Sequence, residues 1–299
     1  MSFYILGIIL AIVTAALHAG SNILDGFFSV KIFDRLANLI FFSCLINLLI
    51  LPVIFIWDKP QILSLSLFGV IIIVSLINVI YQYPYYWSLQ KTDTSVVISL
   101  FSLGKIFTPL LAFIIVNEHL EKAQYAGFFV IICASVLLTL DFKNLRFSPV
   151  FMLMLFVSIM LTVQEVLFKY LFNNGVSWST IIFWTAIAEV VISAIFIFFP
   201  KNFSDLKNSS RKVKEHGLLF VLNQALNWGG EILGLYALIF IPVSVFEGIS
   251  DVQPVFVLIF AILFAKKNSE IFNEYIGKEG VVKKILIFVM MILGALLII

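Results

Sequence analysis

Ten long apolar runs, set apart by short polar loops, govern what this 299-residue chain can fold into. They fall at roughly residues 3–25, 36–57, 62–89, 94–117, 121–140, 148–172, 177–199, 216–240, 243–265 and 282–299. A helix of about 20 apolar residues matches the hydrocarbon thickness of a bilayer. The breaks are plain: "DKP" at 58–60, "NEHLEK" at 117–122 and "DFKNLRFSP" at 141–149. The two longest loops, 200–215 and 266–281, are rich in lysine. Barrel strands are excluded, because they read as about 10 residues of alternating polarity. Helix satisfies its own backbone in lipid and is the element left. Composition agrees: 62% of residues are hydrophobic and 12% charged, against about 25% charged in soluble domains. The expectation is an all-α integral membrane protein of ten transmembrane helices. The first run, Phe3 to Leu17, lacks a basic stretch before it and a clean cleavage site. It reads as a retained helix and not as a signal peptide.

Several function classes drop out at once. A net charge of +2 gives no sign of a nucleic-acid partner. Cys44 and Cys133 both lie in apolar runs, and no spacing resembles a metal site. Neither HExxH nor GxSxG occurs, and two of the three histidines, His119 and His216, stand in loops. An intramembrane enzyme is therefore not expected, and no cofactor is. No GxxxxGK[ST] loop is present to couple this chain directly to ATP.

The chain repeats itself weakly. A shift of 150 lays "YWSLQKTDTSVVISLFSLGK" (86–105) on "YALIFIPVSVFEGISDVQPV" (236–255). Tyr86 meets Tyr236, Thr94 meets Ser244, and Gly104 meets Pro254. Nearer the start of each half the shift is about 142, where Asn22 meets Gln164 and Asn47 meets Glu189. Two five-helix repeats follow, 1–147 and 148–299. Five is odd, so the second must enter the membrane inverted. Inverted repeats mark transporters, with the site near the midplane between them.

Three segments carry a family resemblance: "YYWSLQKTDTSVV", its counterpart "LYALIFIPVSVF", and "NEHLEKAQYAGFFVIICASVLL" at 117–138. In a ten-helix, 5+5 arrangement they resemble the drug/metabolite transporter superfamily, EamA-type branch. The last is similar to that family's Gly-Glu-x-Leu linker before a glycine-bearing fifth helix. Asn117 stands where glycine is usual, and "AKKNSEIF" (265–272) replaces the second glutamate-bearing linker. The resemblance implies a fold and a transport role. It names no substrate, since the superfamily moves amino acids, sugars, nucleotides, cations and vitamins. Loops after odd-numbered runs hold fifteen of the nineteen Lys and Arg residues. The positive-inside rule then puts both termini outside the cytoplasm, whereas the superfamily is usually drawn with both inside.

Polar residues inside the runs carry the chemistry. Glu247 and Asp251, in "FEGISDVQP", are four apart and share a helix face. Two carboxylates there repel unless a proton or a cation accompanies them, and Pro254 removes an N–H from the same helix. Gln224, Asn227 and Glu231 form a stripe in the eighth run beside Trp228, with Gly229–Gly230 a weak point after it. In the third run, "INVIYQYPYYWSLQ" (77–90) places Asn78, Tyr81 and Tyr85 among its polar and aromatic positions. Those rings are either an interfacial belt or a wall that attracts a cation. His18 and Asn22 share a face of the first run, Glu189 stands in the seventh, and Lys105 is the basic residue inside the fourth. Lys105 is expected to partner one second-half acid. Glu165 and Lys169, four apart, are expected to pair with each other, and Asp25 to cap the first loop.

Carboxylates outnumber cations in the runs, and the runs hold no Arg for an anionic substrate. The reading is a multi-pass transporter in a cell membrane, bacterial inner membrane in type, acting as a monomer or weak dimer among lipids. Its substrate is a small organic cation or zwitterion. Glu247, Asp251, Glu231, Asn227, Trp228, Gln224, Tyr81, Tyr85 and Asn78 would bind it, and Glu189, His18, Asn22 and Lys105 would couple or gate. The alternative is a flippase for a lipid or lipid-linked headgroup. If Lys105 lies in the cavity and pairs both acids of the ninth run, a zwitterion or neutral solute becomes the better fit.

Overall fold

The structure is a computed structural model and describes residues 3–119, 121–139, 148–264 and 278–298. The segment "AKKNSEIF" and most of "DFKNLRFSP" lie outside the described residues, and with them the proposed boundary at 147. Within them the fold is all helix and connection, with no strand. The elements are α1 (Phe3–Phe27), α2 (Leu36–Asn47), α3 (Leu51–Trp57), α4 (Leu65–Leu89), α5 (Thr94–Ser99), α6 (Thr108–Val116), α7 (Lys122–Thr139), α8 (Pro149–Asn173), α9 (Trp178–Ile197), α10 (Pro200–Glu215), α11 (Gly217–Phe240), α12 (Val243–Ser250), α13 (Gln253–Phe264) and α14 (Lys278–Ile298). Six stretches are long and apolar enough to cross a membrane: Phe3–Ile32, Leu36–Trp57, Leu65–Leu89, Pro149–Asn173, Trp178–Ile197 and Val243–Leu263. A seventh is added if the bent pair Thr94–Lys105 and Thr108–Val116 counts as one.

Two apolar runs beside the cavity, 94–116 and 243–264, are broken helices, and the 36–57 run is also interrupted, by a 3-10 turn at Leu48–Ile50. Between α5 and α6 the chain tightens into a 3-10 segment, Leu100–Phe107, and the two arms bend by 49°. Pro109 at the start of α6 lacks the N–H that would continue the ladder. Pro254, in the first turn of α13, does the same after α12, and the Asp251 N–H turns back to Ile249 O. Glycine does not break α11, contrary to the sequence expectation; the helix is continuous from Gly217 to Phe240. Its glycines instead admit α1. A Cβ at Gly230 would stand 2.7 Å from the His18 ring, and one at Gly229 would stand 3.2 Å from Leu17 Cδ1. Small residues let membrane helices approach closely.

The outer surface is apolar, with Phe3, Ile56, Trp57, Phe129, Leu218 and Leu263 among its exposed side chains. The polar residues lie inside. This inversion suits a hydrocarbon solvent. Residues 200–215, read as a loop, form helix α10. Its opening Pro200 fits the first helical turn, and its docking is polar. Asn38 Nδ2, fully buried on α2, donates to Asn202 O at 3.2 Å, Asp205 Oδ2 at 3.2 Å and Ser209 Oγ at 3.0 Å. Lys212 pairs with Asp34 at 2.6 Å. At the other end of the bundle the α3–α4 loop docks on the start of α9. Gln61 N donates to Thr180 Oγ1 at 2.9 Å and Ser179 Oγ to Asp58 Oδ2 at 2.6 Å.

Candidate substrate cavity

A polar cavity of about 220 Å³ lies between α1, α2, α4, α8, α9, α11 and α12. Drug-sized sites run roughly 300–1,000 Å³, so this one suits a small solute. His18, Asn22, Asn78, Tyr81, Tyr85, Lys105, Glu189, Gln224, Asn227, Trp228, Glu231 and Glu247 all line it. Helix periodicity explains the gathering. His18, Asn22 and Asp25 fall on one face of α1, and Gln224, Asn227 and Glu231 on one face of α11. The tyrosines of α4 divide accordingly: Tyr81 and Tyr85 turn inward, and Tyr83 is exposed.

Three hydrogen-bonded groups organise the walls. In the first, Glu189 accepts from Asn78 Nδ2 at 2.6 Å and Asn47 Nδ2 at 3.2 Å. The Asn47 carbonyl accepts from Trp228 Nε1 at 3.0 Å, which fixes the indole. The second centres on Asp25. Asn223 Nδ2 donates to it at 2.8 Å, and the single Tyr85 O–H is shared between Asp25 Oδ2 at 3.2 Å and Asn22 Oδ1 at 2.8 Å. In the third, Lys105 Nζ lies 2.8 Å from Glu247 Oε2 and 3.0 Å from Asp251 Oδ1. It also donates to Glu247 O at 2.9 Å, a carbonyl that the break after α12 leaves free.

These contacts correct several expectations. Asp251 does not line the cavity; it lies behind Lys105 and accepts from Ser102 Oγ at 2.6 Å. Lys105 pairs two acids and not one, because the two helix breaks meet at its ammonium. The Glu247/Asp251 pair is therefore already engaged by a cation, and neither carboxylate is left open to hold a substrate's positive group. Asp25 caps no loop, since α1 runs on through Phe27 into a π-helical turn, Phe28–Ile32, and buries it. Its spacing of three from Asn22 was the sequence signal for it. Glu165 and Lys169 do not pair. Lys169 Nζ donates to the carbonyls of Leu238 and Ile241 at the end of α11, while Glu165 faces the cavity. Glu165 and Glu231 have no hydrogen-bond or ion-pair partner among the described residues.

The linker after α6 has a structural role of its own. Glu118 accepts from Val243 N at 3.0 Å and Ser244 N at 2.9 Å, capping the N-terminus of α12. Asn117 reaches this turn with φ 56°. That left-handed conformation favours glycine and next tolerates asparagine. The departure from a glycine at 117 is thereby accommodated.

Broken helices meeting beside a polar cavity in an apolar bundle are a transporter's architecture. Residues 5–140 match the EamA-like transporter family. That family is part of the drug/metabolite transporter superfamily, and the match spans the segments on which the resemblance rested in the first half. The match takes in the first half of the chain and supports reading it as a multi-pass membrane protein of the drug/metabolite transporter type. No curated protein matches its sequence. A solved crystal structure, described only as that of a protein, is 12% identical and superposes with a TM-score of 0.63. The superposition covers 99% of this chain and 97% of that one. At that identity the likeness speaks for the fold alone.

Proposed function

We propose that this protein is a secondary transporter that moves a small organic cation, or a zwitterion held by its ammonium end, by alternating access. The observation that carries the reading is the pair of unpartnered carboxylates, Glu165 and Glu231, in a cavity also lined by Trp228 and Tyr81. A carboxylate inside the bilayer needs a proton or a cation beside it. Aromatic faces add about 0.5–2 kcal/mol of cation attraction each. The one lysine of the lining is committed to Glu247 and Asp251, and the lining holds no arginine. The seat for the positive group is thus Glu231 and Glu165 with Trp228 and Tyr81. The "FEGISDVQP" acids do not form it.

The ten helical segments would form two inverted five-helix repeats, 1–147 and 148–299, in a cell membrane of bacterial inner-membrane type. Mirrored docking supports this. Asn38 and Thr180 are 142 apart, and each receives the loop or helix that follows the other's span. Asn47 and Glu189, also 142 apart, bond to each other at the centre. Helix breaks occur in both the 94–116 and the 243–264 segments.

The test is a thermal-shift screen of purified protein against quaternary amines, primary amines, amino acids, nucleosides and sugars. A bound ligand at a hundredfold excess over Kd stabilises by about 2.7 kcal/mol. Ammonium-bearing compounds are expected to stabilise the wild type and not Glu231→Gln. Stabilisation confined to uncharged sugars or nucleosides would contradict the reading.

A further inference from the structure

Lys105, Glu247 and Asp251 form a closed unit whose charges do not balance. An ammonium has three N–H donors, and Lys105 directs its own at Glu247 Oε2, Glu247 O and Asp251 Oδ1. Ser102 Oγ donates to the same Asp251 Oδ1. Asp251 Oδ2 remains buried with no partner, on a side chain only 2% exposed. One ammonium and two carboxylates sum to a net −1. An uncompensated buried charge is costly, and among the described residues no second lysine or arginine pairs with the two acids to offset it. Across the cavity, α8 presents Glu165, α11 presents Glu231 and α9 presents Glu189, all acids. The α1 face adds Asp25 and His18, and α4 adds the phenols of Tyr81, Tyr85 and Tyr86. Helices α5, α6 and α13 carry no titratable residue, α7 has only Lys122, Tyr125 and Cys133, and those of α14 are confined to its first two turns. The missing positive charge must be bound. A metal cation wants several oxygens, whereas this unit has one left.

We propose that the Lys105–Glu247–Asp251 triad binds a single proton on Asp251 Oδ2, and that this is the proton the transporter exchanges against its substrate. The inference rests on the transporter reading above and gives it a coupling site apart from the Glu231 seat. The proton forms an O–H bond at Oδ2. It departs to cavity water past Lys105 and Glu247, which face the cavity. The triad also ties the 3-10 segment before α6 to the break after α12, so its charge acts on both irregular helices at once. A cation arriving at Glu231 and Glu165 lowers the cost of the triad's −1 state. Substrate and proton therefore oppose each other through the field without sharing a ligand.

The test needs no substrate. Unfolding of the full-length protein in detergent micelles is followed from mildly acidic to mildly alkaline pH. Unfolded Asp and Glu are ionised throughout this range. A native state that holds a proton the unfolded chain gives up loses stability as pH rises, by a factor of ten in the unfolding constant per pH unit and per proton. Asp251→Asn and Glu247→Gln each leave a neutral pair and should flatten the wild-type slope by one proton. Lys105→Met leaves two carboxylates and should steepen it. Glu165 lies in the field of Glu247 and Lys105 but not in that of Asp251, so Asp251→Asn leaves the buried acids outside the triad as they are in the wild type and gives the decisive slope. That variant with the wild-type slope overturns the proposal; should it fail to purify, Glu247→Gln is read in its place. Because transport is not measured, this site can fail while the transporter reading stands.

Discussion

Asn47 holds two neighbours at once, and its removal would strand both. Its amide donates to Glu189 and its carbonyl accepts from Trp228. Asn47→Leu keeps the size and loses both bonds. A buried polar group left unsatisfied costs about 1–3 kcal/mol, so the variant should unfold at a clearly lower temperature. An unchanged midpoint would mean that water takes over both partners. Glu231 behaves differently, because it has no partner to lose. Glu231→Gln should leave the unfolding midpoint near that of the wild type in the absence of ligand. It should also abolish stabilisation by ammonium compounds. Asp25 shows where single residues escape a sequence reading. It stands at the edge of an apolar run, yet α1 continues past it to Phe27 and holds it inside.

At the scale of elements, the breaks are more informative than the regular helices. Gly104 crosses α8 so closely that a Cβ would overlap the Ser158 carbonyl and Ile159 nitrogen. Backbone cannot yield as a side-chain tip can, so Gly104→Val should sharply reduce the yield of folded protein. Wild-type yield and stability would refute that crossing. Glu118 caps α12, and Glu118→Ala should cost about 0.5–2 kcal/mol, read from thermal unfolding. The docking of α10 should depend on pH. Burial raises the Asp205 carboxyl, but hydrogen bonds from Asn208, Ser209 and Asn38 and the nearby Lys212 outweigh it and hold the group below its ordinary value. Its contribution is present above the unfolded value and is lost as pH falls through the lower, folded one. The protection of amides along 200–215, with the intrinsic slowing of exchange in acid divided out, should fall in acid in the wild type and stay level in Asp205→Asn. The positions of the apolar runs and the weak point at Pro254 were legible, because length and a missing N–H act locally; the break before Pro109 was not read. Helix α10 was not, since its polar sequence matches a loop and its docking depends on Asn38, far away in the chain. The Lys105 triad was half legible: each charge stood out, but their meeting depends on how two bent helices cross.

The whole molecule is a lipid-facing shell around a polar interior, and its central claim concerns the sign of charge that interior accepts. Four cavity carboxylates outside the triad, Asp25, Glu165, Glu189 and Glu231, face no free basic side chain among the described residues. Two of them are hydrogen-bonded by amides, and the other two stand open. On the proposed reading the positive seat moves from the conspicuous acids of the ninth run to quieter ones in α8 and α11. A ligand that differs in charge alone addresses this most directly. Binding of choline and of its neutral carbon analogue, in which carbon replaces the ammonium nitrogen, should be compared on the same purified protein. The account predicts tighter binding of choline, with the difference lost in Glu231→Gln. Equal or tighter binding of the neutral analogue would contradict it.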